Sequence, residues 1–166
     1  MNPNKNGKVG ILGIGNLLLM DEGFGVHMIR YLEEQYEFPE SVQLMDVGTA
    51  GIYMAPVMES VSYLMVIDVV DLKADPGTIH IFSDKDIKNG CIPTKMSPHQ
   101  LGLLEMLSLC KLRGQAPEKV EFICIVPEKL ETGICLSPLL REKVPEVGRI
   151  ICRKLREQNI FSEKNN

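Results

Sequence analysis

Continuous runs of apolar residues recur along the chain, and most are separated by segments whose apolar positions have helical spacing. Such runs are typical of parallel strands that are buried on both faces of a sheet. Strands are predicted over residues 8–14, 42–47, 63–70, 78–82 and 119–126. Helices are predicted over residues 24–36, 52–59 and 97–114 and from 137 onwards. In the last of these, Pro145 should produce a kink or a short first turn.

This alternation predicts an α/β fold of three layers, in which a mostly parallel, twisted five-stranded sheet carries helices on both faces. The fourth strand should differ, because only about seven residues connect it to the third and a parallel crossover needs a dozen or more. We therefore expect the fourth strand to run antiparallel to the third at a sheet edge. His80 alternates with two isoleucines in that strand and is expected to be exposed.

The 166 residues fit a single domain, with a core over about residues 8–157 and a polar C-terminal tail. The net charge of −4 argues against a nucleic-acid partner, which would require clustered Lys and Arg. No apolar run approaches the roughly 18 residues of a membrane span. The polar residues 1–8 lack a hydrophobic signal region, so we expect a cytoplasmic protein without a membrane partner.

The cysteines number five, and no two of them have CxxC spacing. An odd number without this spacing predicts free thiols in a reducing compartment. Cys124 lies in an apolar run and is interpreted as a core residue.

Residues 13–23 form a glycine-containing turn between the first strand and the first helix. Such turns commonly hold a phosphate, but this one ends in Asp21 and Glu22, which would repel an anion. The dinucleotide fingerprint is also incomplete, since Leu18 stands where the third glycine belongs. Helix capping would explain both acids, with Asp21 as N-cap and Glu22 in the first turn. These observations argue against a nucleotide-binding α/β enzyme, which stays only as an alternative.

Acidic residues follow or close the first three predicted strands: Glu22, Asp46 and Asp68. Parallel strands would bring all three to one sheet edge, where ligands bind in such folds. Asp68 ends a strongly apolar strand, and burying its carboxylate is costly unless it meets water, pairs or binds a cation. His99 stands in the first turn of a helix that Ser97 should cap.

The helix dipole keeps a histidine at this position neutral, which is the form that binds metals, although a surface or capping role is an alternative for His99. Two carboxylates and one imidazole suit zinc or nickel better than magnesium. The spacing of these residues along the chain does not by itself identify a metalloenzyme.

Four blocks of sequence occur in a characteristic order: Gly13-Ile14-Gly15-Asn16-x-Leu18-x-x-Asp21-Glu22-Gly23-x-Gly25-Val26, Asp46-x-Gly48-Thr49-Ala50-Gly51, Asp68 at the end of an apolar strand, and Ser97-Pro98-His99-Gln100-Leu101-Gly102-Leu103. Together they resemble the nickel–iron hydrogenase maturation endopeptidases, and the similarity extends from about residue 8 to about residue 155. The resemblance implies a protease that activates a hydrogenase by removing a short C-terminal extension from its large-subunit precursor once nickel has been inserted.

The resemblance also assigns roles by position. Glu22, Asp68 and His99 correspond to the residues that contact the metal, and Asp46 corresponds to a further acid associated with activity. The metal is implied to be nickel held by the substrate, although the site could take another divalent cation. The family commonly has Asp-Gly-Gly-Thr in the second block, where this chain has Val47 instead of the first glycine. A positive φ there would strain Val47, whereas an extended backbone would not.

Two mechanisms are compatible with these residues. The metal could polarise the scissile carbonyl or activate water. Alternatively, the metal only docks the precursor and Asp46 acts as general base, as in an aspartate-assisted protease, and we favour this second scheme. A non-catalytic chaperone that senses nickel in the precursor is the alternative from another class. A monomer is expected, because the site must admit a large protein.

Overall fold

The computed structural model describes residues 5, 7–49, 54–88 and 98–160, with the backbone alone for residues 87, 88 and 98–100. Its strands are β1 (Val9–Ile14), β2 (Val42–Gly48), β3 (Tyr63–Val69), β4 (Ile79–Ser83) and β5 (Lys119–Ile125). Its helices are α1 (Phe24–Gln35), α2 (Ala55–Ser60), α3 (Asp84–Lys88), α4 (Pro98–Leu112) and α5 (Pro138–Glu157). A 3-10 turn, Met20–Gly23, precedes α1.

The five strands form one sheet in the order β2-β1-β3-β5-β4. β1, β2, β3 and β5 are parallel, and β4 runs antiparallel to β5 at the edge. The predicted fold class, direction of β4 and edge position are confirmed. The neighbour of β4 is β5 rather than β3, because the connection after β3 crosses the end of β5. Gly77 donates a hydrogen bond to the carbonyl of Val126 during that crossing.

Apolar side chains cover both faces of the sheet, which confirms the three layers. On one face α1 and α5 pack against the strands, with Phe24, Leu32, Val147 and Ile151 among the fully buried residues. On the other face α2 and α4 supply a separate cluster. Among the described residues, no helix has the length and apolar character needed to cross a membrane.

The expectation that His80 is exposed is wrong. Its ring is half-buried and stacks on that of Phe82, with ring centroids 5.9 Å apart. The alternation of β4 explains the burial, because Ile79 packs on the α1–α5 face while Phe82 packs on the opposite face. His80 shares the face of Phe82, and Ile81 is the more exposed residue at 41%.

Pro145 does not divide the last helix as expected, since α5 runs continuously over 20 residues through it. Buried apolar side chains precede and follow the proline, including Leu140 before it and Ile151 after it. This burial on both sides offsets the hydrogen bond that the proline removes. Ser137 caps the helix by accepting a hydrogen bond from the Leu140 amide at 3.3 Å.

Candidate functional site

The carboxyl ends of β1, β2 and β3 meet at one edge of the sheet. The register pairs Gly13 with Asp46 on one side and with Ile67 on the other, so Asp68 lies one residue beyond that row. β1 continues at the same edge into the turn that carries Glu22. The predicted meeting of these three segments is therefore observed.

The turn that carries Glu22 lies unusually close to the end of β1. A side chain at Gly15, whose φ is +148°, would stand 1.9 Å from the Glu22 carbonyl oxygen. The Asn16 amide donates to that same oxygen at 3.2 Å. These contacts fix the backbone of Glu22, while its half-buried carboxylate has no hydrogen bond or ion pair within the described part of the chain.

Asp21 is not the cap of α1, contrary to the prediction. The N-cap of α1 is Gly23, because the 3-10 turn separates Asp21 from the helix. The carboxylate of Asp21 is fully buried and accepts backbone hydrogen bonds from Glu128 at 2.9 Å, Lys129 at 2.8 Å and Ser137 at 2.7 Å. It ties the turn to the segment between β5 and α5, and no local sequence pattern signals such distant donors.

Asp46 is exposed at the end of β2. Its Oδ1 accepts a hydrogen bond from the Gly48 amide at 2.9 Å. Gly48, with φ +52°, supplies the left-handed backbone of this turn, whereas Val47 is buried and its φ is not positive. The Val47 departure from the family pattern therefore introduces no backbone strain.

Asp68 is 2% exposed, and its Oδ1 accepts from the Val69 amide at 2.8 Å. It lies beside Cys124 of β5 in the strand register. Burial, followed by the charge of Asp68, raises the pKa of the Cys124 thiol well above its ordinary value. Cys124 is thus an unreactive core thiol, as interpreted from the sequence.

Strand alternation places Asp46 and Asp68 on opposite faces of this edge. In β2, Val42 and Leu44 face the cluster under α1 and α5, and Asp46 continues their side. In β3, Leu64 and Val66 face the cluster under α2 and α4, and Asp68 continues theirs. The two acids share an edge but not a face.

His99 belongs to the first turn of α4, the helix that covers the face of Asp68. Its side chain and the predicted cap Ser97 lie outside the described residues. The described side chains alone include no group of three His, Cys, Asp or Glu that could hold a metal. In donor chemistry, Glu22 and Asp68 with one imidazole fit a borderline divalent cation such as nickel.

A protein-family model described as hydrogenase maturation protease matches residues 26–154. The chain belongs to this family. The matched segment contains Asp46, Asp68 and His99, and it begins just after Glu22.

Individual relatives match over nearly the whole chain. The hydrogenase 2 maturation protease of Escherichia coli (strain K12) is 35% identical over 151 residues, which are 90% of this chain and 92% of the relative. The hydrogenase expression/formation protein HoxM of Azotobacter vinelandii is 38% identical over 92% of this chain and 74% of its own length. The solved structure of the E. coli hydrogenase maturating endopeptidase HybD covers 91% of this chain and 93% of its own, with 35% identity and a TM-score of 0.84. Family membership supports a maturation endopeptidase.

Proposed function

We propose that this maturation endopeptidase removes the C-terminal extension of a nickel–iron hydrogenase large-subunit precursor and recognises the nickel that the precursor carries. The proposal rests on the environment of two acids at the sheet edge, which differs from that of ordinary surface acids. Asp68 is almost completely buried where an apolar strand ends, and Glu22 has no described protein partner. Carboxylates in this state favour a cationic ligand.

The edge suits a metal delivered by a protein better than a metal sealed inside the fold. Asp46 is exposed and Glu22 is half-buried, so a partner protein can approach both. Glu22, Asp68 and His99 would contact the nickel of the precursor, and this contact would hold the cleavage site against the edge. When bound there, nickel can also act as a Lewis acid toward the scissile carbonyl.

Asp46 is the proposed general base. Its Oδ1 is held by the Gly48 amide at 2.9 Å, while its Oδ2 has no hydrogen bond among the described residues and can accept a proton from water. Water that loses this proton would attack the scissile carbonyl of the docked precursor. Asp46 lies on the other face of the edge from Asp68. Docking of the precursor and proton transfer would therefore be carried out by different residues.

We place this activity in the cytoplasm and propose that the enzyme acts as a monomer. Among the described cysteines, Cys110, Cys124 and Cys135 are free thiols, which fits a reducing compartment. A monomer leaves the edge open to a protein substrate.

The deciding experiment compares nickel-loaded with nickel-free large-subunit precursor and follows the precursor mass after incubation with the protein. We expect the C-terminal peptide to be lost from the loaded form alone. Glu22→Gln is the matched variant, since it removes a charged metal contact while preserving the size of the side chain. Equal cleavage of both precursor forms would exclude nickel recognition, and cleavage of neither would exclude the protease assignment.

A further inference from the structure

A cleft of about 400 Å³ separates α1 from the start of α5. The segment that leads into α5 supplies part of its lining. Apolar groups from Tyr31, Leu136, Val144 and Pro145 form part of the lining. The cleft also contains charged groups, so it is not merely a gap between two packed helices.

The charged residues of the lining are Arg30, Arg141 and Glu34. Neither arginine forms an ion pair within the described part of the chain, although Arg141 donates to the Leu136 carbonyl at 3.4 Å. Two guanidinium groups against one carboxylate leave the cleft positive. Guanidinium groups bind carboxylates through paired, charge-assisted hydrogen bonds.

His27 also lines the cleft, and the pKa of its imidazole is affected by the same positive charges. Burial lowers the pKa of its imidazole, the charges of Arg30 and Arg141 lower it further, and a hydrogen bond with the Ile134 backbone partly opposes them. A field that disfavours an imidazolium favours a bound anion. The apolar lining selects an anion that is attached to an apolar group over a small hydrated ion.

The cleft lies next to the candidate site. Leu136 of its lining precedes Ser137, whose amide donates to Asp21 at 2.7 Å, and Asp21 adjoins Glu22. Along the chain, His27 follows Glu22 by about one and a half helical turns, a rise on the order of 7 Å. A peptide of a few extended residues therefore spans from the sheet edge to the cleft.

We propose that this cleft binds a peptide carboxylate flanked by an apolar residue, with Arg30 and Arg141 contacting the carboxylate and Leu136, Val144 and Pro145 contacting the apolar residue. The carboxylate belongs either to an acidic side chain or to a chain terminus. That the peptide comes from the hydrogenase precursor rests on the function proposed above. The cleft is then a substrate subsite separate from the metal-contacting residues.

The direct test is titration of the ¹⁵N-labelled full chain, followed by NMR shifts of the Arg30 and Arg141 side chains. The probes are N-acetyl-Val-Leu as free acid, the same peptide as amide, N-acetyl-Val-Asp amide and inorganic phosphate. Binding of the free acid or of the aspartyl peptide supports the proposal and identifies the carboxylate source. Failure of both acids, equal binding of the neutral amide, or equal binding of phosphate would overturn it.

Variants assign the interaction to named residues. Arg30→Gln should weaken binding of the peptide acid by about tenfold or more, as expected for a lost charge-assisted hydrogen bond. Glu34→Gln should strengthen binding, because it removes the opposing charge. Arg149→Gln is the matched control, since Arg149 lies exposed on α5 outside this cleft and its loss should leave affinity unchanged. Equal effects of Arg30→Gln and Arg149→Gln would contradict a specific subsite.

A second readout separates this proposal from the protease assignment. Bound carboxylate should raise the pKa of His27, measured by NMR titration of its ring, whether or not any precursor is cleaved. Peptide binding without precursor cleavage would support the peptide subsite and contradict the proposed function. Precursor cleavage without peptide binding would support the proposed function and contradict the peptide subsite.

Discussion

At the scale of single residues, two adjacent acids have opposite environments. Asp21 is fully buried and accepts hydrogen bonds from three backbone amides. Glu22 is half-buried and has no described protein partner. The backbone around them is shared, so the contrast must arise from the direction of each side chain. We infer that Asp21 holds the turn in place and that Glu22 is left available to a ligand.

Asp21→Asn should therefore reduce stability strongly. The amide keeps one acceptor oxygen but turns an NH₂ group toward a backbone donor, so at least one charge-assisted bond worth about 1.5–3 kcal/mol is lost. We expect a loss of about 3 kcal/mol, which corresponds to a fall in Tm of roughly 6–12 °C for a chain of this size. Thermal unfolding monitored by circular dichroism measures it.

Glu22→Gln provides the adjacent control. Its Tm should change little, because Glu22 makes no described hydrogen bond or ion pair. Precursor processing should nevertheless be lost in this variant. A Tm fall equal to that of Asp21→Asn would show that both acids are structural.

His27 gives a testable dependence of stability on pH. Burial, followed by the positive charges of Arg30 and Arg141, lowers its pKa in the folded state below the ordinary value of 6.5. The unfolded chain consequently takes up the proton first, and the stability from His27 is lost as pH falls below 6.5 toward the lower folded pKa. His27→Gln should flatten this part of the curve in urea unfolding from pH 7 to 5. An unchanged slope would contradict the lowered pKa.

Residue environments were the part of the structure least accessible from sequence. Asp21 occupied a typical N-cap position, but its donors lie 107 to 116 residues away along the chain. His80 alternated like an exposed strand residue, yet it packs beside Phe82 on a covered face. Local patterns describe a residue's neighbours in the chain and cannot report contacts made by distant segments.

At the scale of elements, the contact between β1 and α1 determines where Glu22 lies. A side chain at Gly25 of α1 would stand 2.2 Å from the Ile14 carbonyl oxygen and 2.4 Å from that of Ile67. Both obstacles are backbone atoms in the central strands, so they cannot rotate away. The helix reaches the sheet this closely only because Gly25 lacks a side chain.

Gly25→Ala should push α1 away from β1 and β3. We expect a loss of about 3 kcal/mol or more, at the upper end of the cost of overpacking. Gly102→Ala in α4 is the matched control, because a methyl group there meets nothing within 4 Å. It should stabilise the protein by about 0.5–1 kcal/mol, since alanine favours the helix. Urea unfolding measures the free energy of unfolding of both variants. Equal losses of stability would contradict the close approach of α1 to the sheet at Gly25.

Element identity was more predictable than element arrangement. Apolar runs, and in β4 the alternation of two isoleucines with His80, identified the five strands among the described residues, and the short connection after β3 correctly indicated an antiparallel β4. The insertion of β5 between β3 and β4 was not predicted, because pairing depends on the path of the long α4 connection. The continuous course of α5 through Pro145 was not predictable either, because local propensity takes no account of the apolar contacts that hold α5 on both sides of the proline.

At the scale of the whole molecule, the parallel sheet itself assembles the candidate site. Once β1, β2 and β3 were predicted to be parallel, their acids had to reach one edge, and the structure places all three segments there. Sequence could not show that Asp46 and Asp68 occupy opposite faces, because this depends on strand register. That separation suggests that binding of the precursor and its cleavage can be abolished independently.

Asp46→Asn tests this separation. Asparagine can keep the acceptor that bonds the Gly48 amide at 2.9 Å, so the turn should survive while the basic group is lost. We expect precursor binding to be retained and single-turnover cleavage to slow by about 10²- to 10⁴-fold, the usual contribution of a general base. Asp75→Asn, at an exposed turn, is the matched control and should cleave normally. If Asp46→Asn binds and cleaves the precursor like the unmodified protein, Asp46 is not the base. If the unmodified protein binds the precursor but never cleaves it, the protein is a nickel-sensing chaperone.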